Sequence, residues 1–171
     1  FKAIFDIFKK NNKITIDDLG FLIGPILNSG GRLSKSNYAT NLLSTNNDKE
    51  IFSLVSKLIN LNEKRKIIES RILSEINFLE IEKLNDDIII LYNPNYNEGL
   101  IGIIAARIKD YFNKPSIIIT NSQNILKGSC RSIHNFDMGS FIRNALERKI
   151  LITGGGHRMA AGFTLKKNNL K

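Results

Sequence analysis

Two short stretches hold the residue types that could do chemistry. The first is Gly154-Gly155-Gly156-His157-Arg158-Met159-Ala160-Ala161-Gly162. Successive glycines permit φ > 0 and close approach of the backbone to a ligand or a second domain. Between Met159 and Phe163 no side chain exceeds a methyl. A tight turn before a buried strand, with His157 as a hydrogen-bonded linker, is the alternative, since glycine-rich motifs alone are weak signals. The second stretch is Gly128-Ser129-Cys130-Arg131-Ser132. Strand alternation puts Ser129 and Arg131 on one face, Cys130 and Ser132 on the other. A hydroxyl beside a guanidinium can bind one phosphate, the guanidinium as a bidentate charged donor. A half-exposed face with Arg131 in a salt bridge is the alternative. Cys130 is expected to point inward as a small apolar residue.

A third candidate is Asn28-Ser29-Gly30-Gly31-Arg32-Leu33, rich in turn formers. It predicts a loop in which Arg32, behind two glycines, points at a ligand or else merely precedes a helix. His157 could ligate a metal, donate a proton or hydrogen bond to a phosphoryl oxygen, or pack. The second histidine, His134, reads as a surface turn residue. With no HxH or HxxxH pair and no carboxylates in ligand spacing, a complete metal site cannot be assembled. Nucleophile-elbow, Walker and dinucleotide fingerprints are also missing from the sequence.

Positioning these residues requires a folded body, and the bulk properties allow one. The 171 residues are 42% apolar, enough for a core and too apolar for a disordered tail. One cysteine excludes an internal disulfide framework and a cysteine-rich zinc site. No apolar run approaches about 18 residues, so no membrane helix is expected, and a cytoplasmic, reducing location fits. The net charge of +9 is uneven. Residues 1–50 carry seven Lys/Arg and five Asp/Glu, residues 51–100 six and eight, residues 101–171 twelve and three. A basic last third is a footprint for a polyanion, or a solubility face.

Along the chain, residues 1–10 predict the end of an amphipathic helix with Phe1, Ile4, Phe5 and Phe8 on one side, broken at Asn11-Asn12. They lack a signal-peptide cleavage site, and the missing initial Met suits a fragment. Thr15 can cap a short helix over 16–23, and Ser34 another over 35–43. Residues 47–84 contain no Gly or Pro, and apolar residues recur at intervals of three and four. This predicts one long helix, or two with a kink near Asn62. After Asp86-Asp87 the spacing predicts a strand over 88–92 buried on both faces, a helix over 99–112, and strands over 116–120 and 125–133. A helix over 137–149 and strands over 150–152 and 161–165 follow. The expected fold is α/β: a helical segment over 1–46, a connecting helix over 47–85, and a mixed-sheet α/β domain over 86–171.

In this order the motifs resemble the RecJ family of single-strand-specific exonucleases, within the DHH phosphoesterase superfamily. Asp18-Leu19-Gly20-Phe21, Ile23-Gly24-Pro25 and the stretch from Asn28 to Leu33 resemble the segment after that family's catalytic domain, with Ser29 where members usually have Ala. Leu61-Asn62-Glu63-Lys64-Arg65 resembles its connecting helix. The stretch from Gly99 to Arg107, the GSCRS strand and GGGHRMAAG resemble the DHH-associated domain. GGGH-x-x-AAG by itself is shared by the wider superfamily, including oligoribonucleases and relatives of alanyl-tRNA synthetase.

The resemblance implies part of a 5′→3′ single-stranded-DNA exonuclease of DNA repair and recombination, with 1–46 a remnant of the catalytic domain. Manganese or magnesium would be bound by Asp and His of a preceding domain and by nothing in this fragment, which alone would be inactive. Arg32, Ser129 and Arg131 resemble the pocket for the 5′ phosphate. His157 resembles the catalytic residue that faces the metal centre. Asn28, Gly155, Gly156 and Arg158 complete the implied substrate-binding set. The connecting helix resembles a strut that leaves a slot too narrow for duplex, with basic walls along the strand. Single-stranded DNA is the implied partner, together with other repair or replication proteins and no membrane. The alternatives are an oligoribonuclease or cyclic-dinucleotide phosphodiesterase of the same superfamily, and a non-catalytic nucleic-acid-binding module.

Overall fold

A computed structural model describes residues 2–9, 13–33 and 36–170. The chain divides into two units, Phe1–Ile68 and Glu69–Lys171.

The first unit is helical: α1 (Lys2–Ile7), a π-helical turn (Asp18–Ile23), α2 (Gly24–Leu33), α3 (Asn37–Ser44) and the first part of α4 (Asp48–Glu75). Ile4, Phe5, Ile23, Ile26, Val55 and Leu58 form its core. Thr15 acts as a cap, as its position suggests. Its hydroxyl accepts from the Asp18 N–H (3.4 Å), while the Asp18 carboxylate accepts from the Thr15 N–H (2.9 Å). This is the reciprocal pattern of a capping box. Phe1, Asn11, Asn12 and the expected cap Ser34 lie outside the described residues.

Residues 24–33 are helical rather than a loop. Their turn-forming composition yields to packing. Ile26 is fully buried, and the buried Ser29 hydroxyl donates to the carbonyls of Ile26 (2.7 Å) and Leu58 (2.9 Å). Ser29 and Gly30 are both small and buried, which lets α2 lie close to α4. Pro25 occupies the first turn, where its missing N–H is no loss.

The long apolar-periodic stretch is two helices, but not with a kink near Asn62. Asn62 is buried and accepts from Arg65 Nε (3.1 Å) within an unbroken α4. The break falls after Glu75, where Asn77 caps α5 (Phe78–Leu84) by accepting from the Glu80 N–H (3.2 Å).

The second unit holds α5, β1 (Ile89–Tyr92), α6 (Ile101–Phe112), β2 (Ser116–Ser122), β3 (Ile125–Arg131), α7 (Met138–Glu147), β4 (Thr153–His157) and β5 (Ala160–Leu165). The five-stranded sheet has order β1-β2-β3-β5-β4, with β1 and β2 parallel and every other pair antiparallel. This is the mixed sheet expected. Helix α6 covers one face over β2 and β3, and α7 covers the opposite face under β5 and β4. On the α7 face Ile117, Leu126, Cys130, Ile142 and Phe163 share one core. On the α6 face Ser116 donates to the Ala105 carbonyl (2.6 Å). Glu69, in the last part of α4, pairs with Arg107 Nε (2.8 Å).

Two strand expectations are corrected. β1 is an edge strand with Ile90 56% and Tyr92 43% exposed, because neither helix covers its outer half. Residues 150–152 are irregular, and the strand runs over Thr153–His157, taking up the glycine triplet. Among the described residues no helix is long and apolar enough to cross a membrane.

Candidate functional site

Helices α6 and α7 are offset on the sheet, so the α6 face is left open over β5 and β4. Strand register arranges that open face in three cross-strand rows. Arg131 pairs with Ala160, and Ala160 with His157. Ser129 pairs with Gly162, and Gly162 with Gly155. Lys127 pairs with Thr164, and Thr164 with Thr153. Paired residues point to the same side of a sheet, and neighbouring strands lie about 4.8 Å apart. Arg131 and His157 therefore stand about 10 Å apart across the face, with the bare row of Gly162 and Gly155 beside them.

The Ser129–Arg131 pair is placed as alternation predicts. Arg131 Nη1 donates to the Cys130 carbonyl (2.8 Å) and approaches Ser129 Oγ (3.5 Å). Both side chains sit against Gly102 in the first turn of α6. A Cβ there would lie 3.0 Å from Ser129 Oγ and 3.2 Å from Arg131 Nη2. That turn leaves backbone N–H groups without intrahelical partners and carries the positive end of the helix dipole. A hydroxyl, a guanidinium and a helix N-terminus thus converge, an arrangement suited to an oxyanion. Cys130 points to the opposite core as expected, and burial pushes its thiol up to about 12. It is a packing residue, not a nucleophile.

The glycine triplet is a strand, not a turn. No described glycine has positive φ, so conformational freedom is not what these positions use. Gly154 and Gly156 face the α7 side. A Cβ on Gly156 would meet the Ala161 Cα at 2.4 Å, and one on Gly154 would meet Ile142 at 2.9 Å. Gly155 faces the open side with nothing within 4 Å. The hairpin turn is Arg158-Met159, and it is pinned from three sides. Met138 N–H donates to the Arg158 carbonyl (3.1 Å), Ser132 N–H to the Met159 carbonyl (2.9 Å), and Arg158 Nη2 to the His134 carbonyl (2.7 Å). Gly139 of α7 packs on the backbone of Gly156 and His157. This fixes the exposed His157 at the end of β4. His134 is an exposed turn residue, as expected.

The second unit therefore brings Ser129, Arg131, Gly155 and His157 onto one face. It turns Gly156 to the other side and holds Arg158 in the hairpin. Asn28 and Arg32 belong to the first unit, four residues apart on α2 and so on one side of that helix. Arg32 is a helix residue, not a free loop arginine, and it has a partner of its own. Sequence reasoning did not single out Gly102 or Gly162 as site positions. For Gly162 the signal lies in strand pairing, which connects residues more than thirty apart. Among the described residues, no group of three or more His, Cys, Asp or Glu could hold a metal ion.

The DHHA1 domain matches residues 85–171. The chain is 35% identical over 183 residues to the single-stranded-DNA-specific exonuclease RecJ of Escherichia coli (strain K12), covering 99% of this chain and 31% of that protein. The structure of RecJ from Thermus thermophilus in complex with Mn2+ matches with a TM-score of 0.84 and 27% identity, over 98% of this chain and 24% of that one. The same enzyme's Mg2+ complex matches with a TM-score of 0.81 and 26% identity, over 98% and 26%. The chain thus spans about a third or less of these relatives' length.

Proposed function

The chain belongs to the DHHA1 domain family, and from that premise we propose that it is the strand-binding part of a 5′→3′ single-stranded-DNA exonuclease. The observation that carries this reading is the register placing Arg131, Ser129, Gly155 and His157 on one open face beside the first turn of α6. In this reading the Arg131 guanidinium and the Ser129 hydroxyl bind the terminal 5′ phosphate. The bare Gly155 lets the strand lie against the sheet backbone. His157 donates a hydrogen bond, and where needed a proton, to a phosphoryl oxygen at the far side of the face. Gly156 and Arg158 act indirectly, by holding the hairpin that carries His157. Within the first unit, Asn28 and Arg32, on one side of α2, are assigned a phosphate-binding role.

The described residues do not fit a manganese or magnesium site, so the roles assigned here are to the strand alone. Twelve Lys/Arg against three Asp/Glu over residues 101–171 support a polyanionic partner. Exonuclease relatives support DNA over the oligoribonuclease and cyclic-dinucleotide alternatives. The reading carries with it a cytoplasmic location and other repair or replication proteins as further partners.

The test is Arg131→Ala in the full-length protein, with 5′-phosphorylated and 5′-hydroxyl strands compared. Losing a charged hydrogen bond of this kind costs about 1.5–3 kcal/mol. That loss is expected for the phosphorylated end only. Equal loss with both ends would refute the terminal-phosphate role.

A further inference from the structure

The open face has a third row that the proposed reading leaves unused. Lys127, Thr164 and Thr153 lie across β3, β5 and β4 on the far side of the glycine row from Arg131. The two threonine hydroxyls are 2.7 Å apart. Lys127 Nζ is steered by Glu98, 3.4 Å away, whose carboxylate also accepts from the Ser122 hydroxyl (2.7 Å) and is held below the usual range chiefly by that bond. Both Lys127 and Glu98 are about half exposed. An exposed pair of this kind is weak and readily exchanged for another anion. A depression of about 370 Å³ runs beside Lys127, Thr153, Gly155, Gly162 and Thr164.

The glycines of the middle row show that the face is shaped for something outside the fold. Gly128 has no room for a side chain: a Cβ there would lie 2.1 Å from the Phe163 ring. Gly156 is similarly constrained, with the Ala161 Cα at 2.4 Å, and Gly154 less so, with Ile142 at 2.9 Å. Gly155 and Gly162 are not. Nothing lies within 4 Å of a Cβ at Gly155, the nearest atom at Gly162 is the Gly128 carbonyl at 3.7 Å, and neither has positive φ. The fold itself therefore has no need of glycine at these two paired positions. What they provide is a bare floor between a row ending in Arg131 and a row beginning with Lys127.

We propose that Lys127, with the Thr153–Thr164 hydroxyl pair, is a second subsite for the sugar–phosphate backbone of a single strand whose terminal phosphate lies at Arg131. This rests on the reading of Arg131 above. Four residue steps along β3 separate the two cations, about 13 Å. That exceeds one nucleotide step, so the pair measures a linear polyanion and not a single compact anion. The rows carry two cations, Arg131 and Lys127, and the hydroxyls of Ser129, Thr153 and Thr164 around the bare backbone of Gly155 and Gly162, groups that can bind a sugar–phosphate chain.

The experiment measures binding by the full-length protein, with cleavage suppressed by a chelator, to a 5′-phosphorylated mononucleotide and to a longer 5′-phosphorylated oligonucleotide over a range of salt. Lys127→Ala should weaken the longer strand about fivefold. It should lower the slope of log K against log salt by about 0.7, one phosphate contact on single-stranded nucleic acid. Mononucleotide binding should not change, and Lys127→Arg should restore the slope. An unchanged slope in Lys127→Ala, with Arg131→Ala still losing its preference for the phosphorylated end, overturns the second subsite and leaves the first reading standing. If Arg131→Ala keeps that preference, the reading beneath it fails as well.

Discussion

Gly155→Ala separates a binding floor from a packing requirement. The added methyl would meet nothing within 4 Å, and no positive φ makes the substitution strained. The folded state loses nothing, and the unfolded chain loses freedom. Stability should rise by about 0.4–1 kcal/mol. The same methyl stands on the open face in the row beside Arg131 and His157. A strand lying against the backbone would be lifted by about 1 Å or more, and a misplacement of that size costs roughly a hundredfold in rate. The adjacent Gly156→Ala is the control. Its Cβ would lie 2.4 Å from the Ala160 carbonyl oxygen and from the Ala161 Cα, so the β4–β5 pairing would have to shift, a loss of about 1–3 kcal/mol. Thermal melting and steady-state exonuclease kinetics of the two full-length variants make the comparison. Gly155→Ala should melt no lower than the parent while losing activity, and Gly156→Ala should melt lower. Parental turnover in Gly155→Ala would refute the binding face, and a melting loss matching that of Gly156→Ala would refute the register.

Two other outcomes follow from the same unit. Gly102→Ala would press on the flexible ends of Ser129 and Arg131 at 3.0 and 3.2 Å while improving helix propensity; the ratio of kcat/KM for phosphorylated over hydroxyl ends should fall with little change in Tm. Cys130 is an acid whose folded pKa, about 12, lies above its unfolded value of about 8.5. Above the unfolded pKa the native state binds more protons than the unfolded one, so its contribution to stability is full at neutral pH and is lost as pH rises from about 8.5 towards 12. Denaturant titrations across that range should show a decline that Cys130→Ala flattens, and a thiol reagent at about pH 8 should label the protein only after unfolding.

Local pattern carried more of the site than of the fold around it. Period-two alternation was enough to place Ser129 and Arg131 together and Cys130 inward, because it depends on one strand alone. The apolar run at 116–120 marks the interior strand β2, which is buried on both faces. The similar run at 88–92 looks the same in sequence but forms an edge, since strand order is set by pairing and not by composition. The glycine triplet was ambiguous for the same reason. Whether a glycine provides φ > 0 or close approach depends on what stands opposite it, and here that is Ile142 for Gly154, open space for Gly155 and β5 for Gly156. At 24–33 the turn formers sit in a helix because the buried Ser29 hydroxyl bonds the Leu58 carbonyl, nearly thirty residues away. The break between α4 and α5 has a local signal: Asn77 followed three residues later by Glu80 is a helix-start signature.

The most direct measurement is a crystal structure of the full-length protein with a 5′-phosphorylated single strand. The account predicts the terminal phosphate within hydrogen-bond distance of the Arg131 guanidinium and Ser129 Oγ, with the chain lying over Gly155 and Gly162. A strand that leaves this face empty, or a terminal phosphate held away from Arg131, would contradict it.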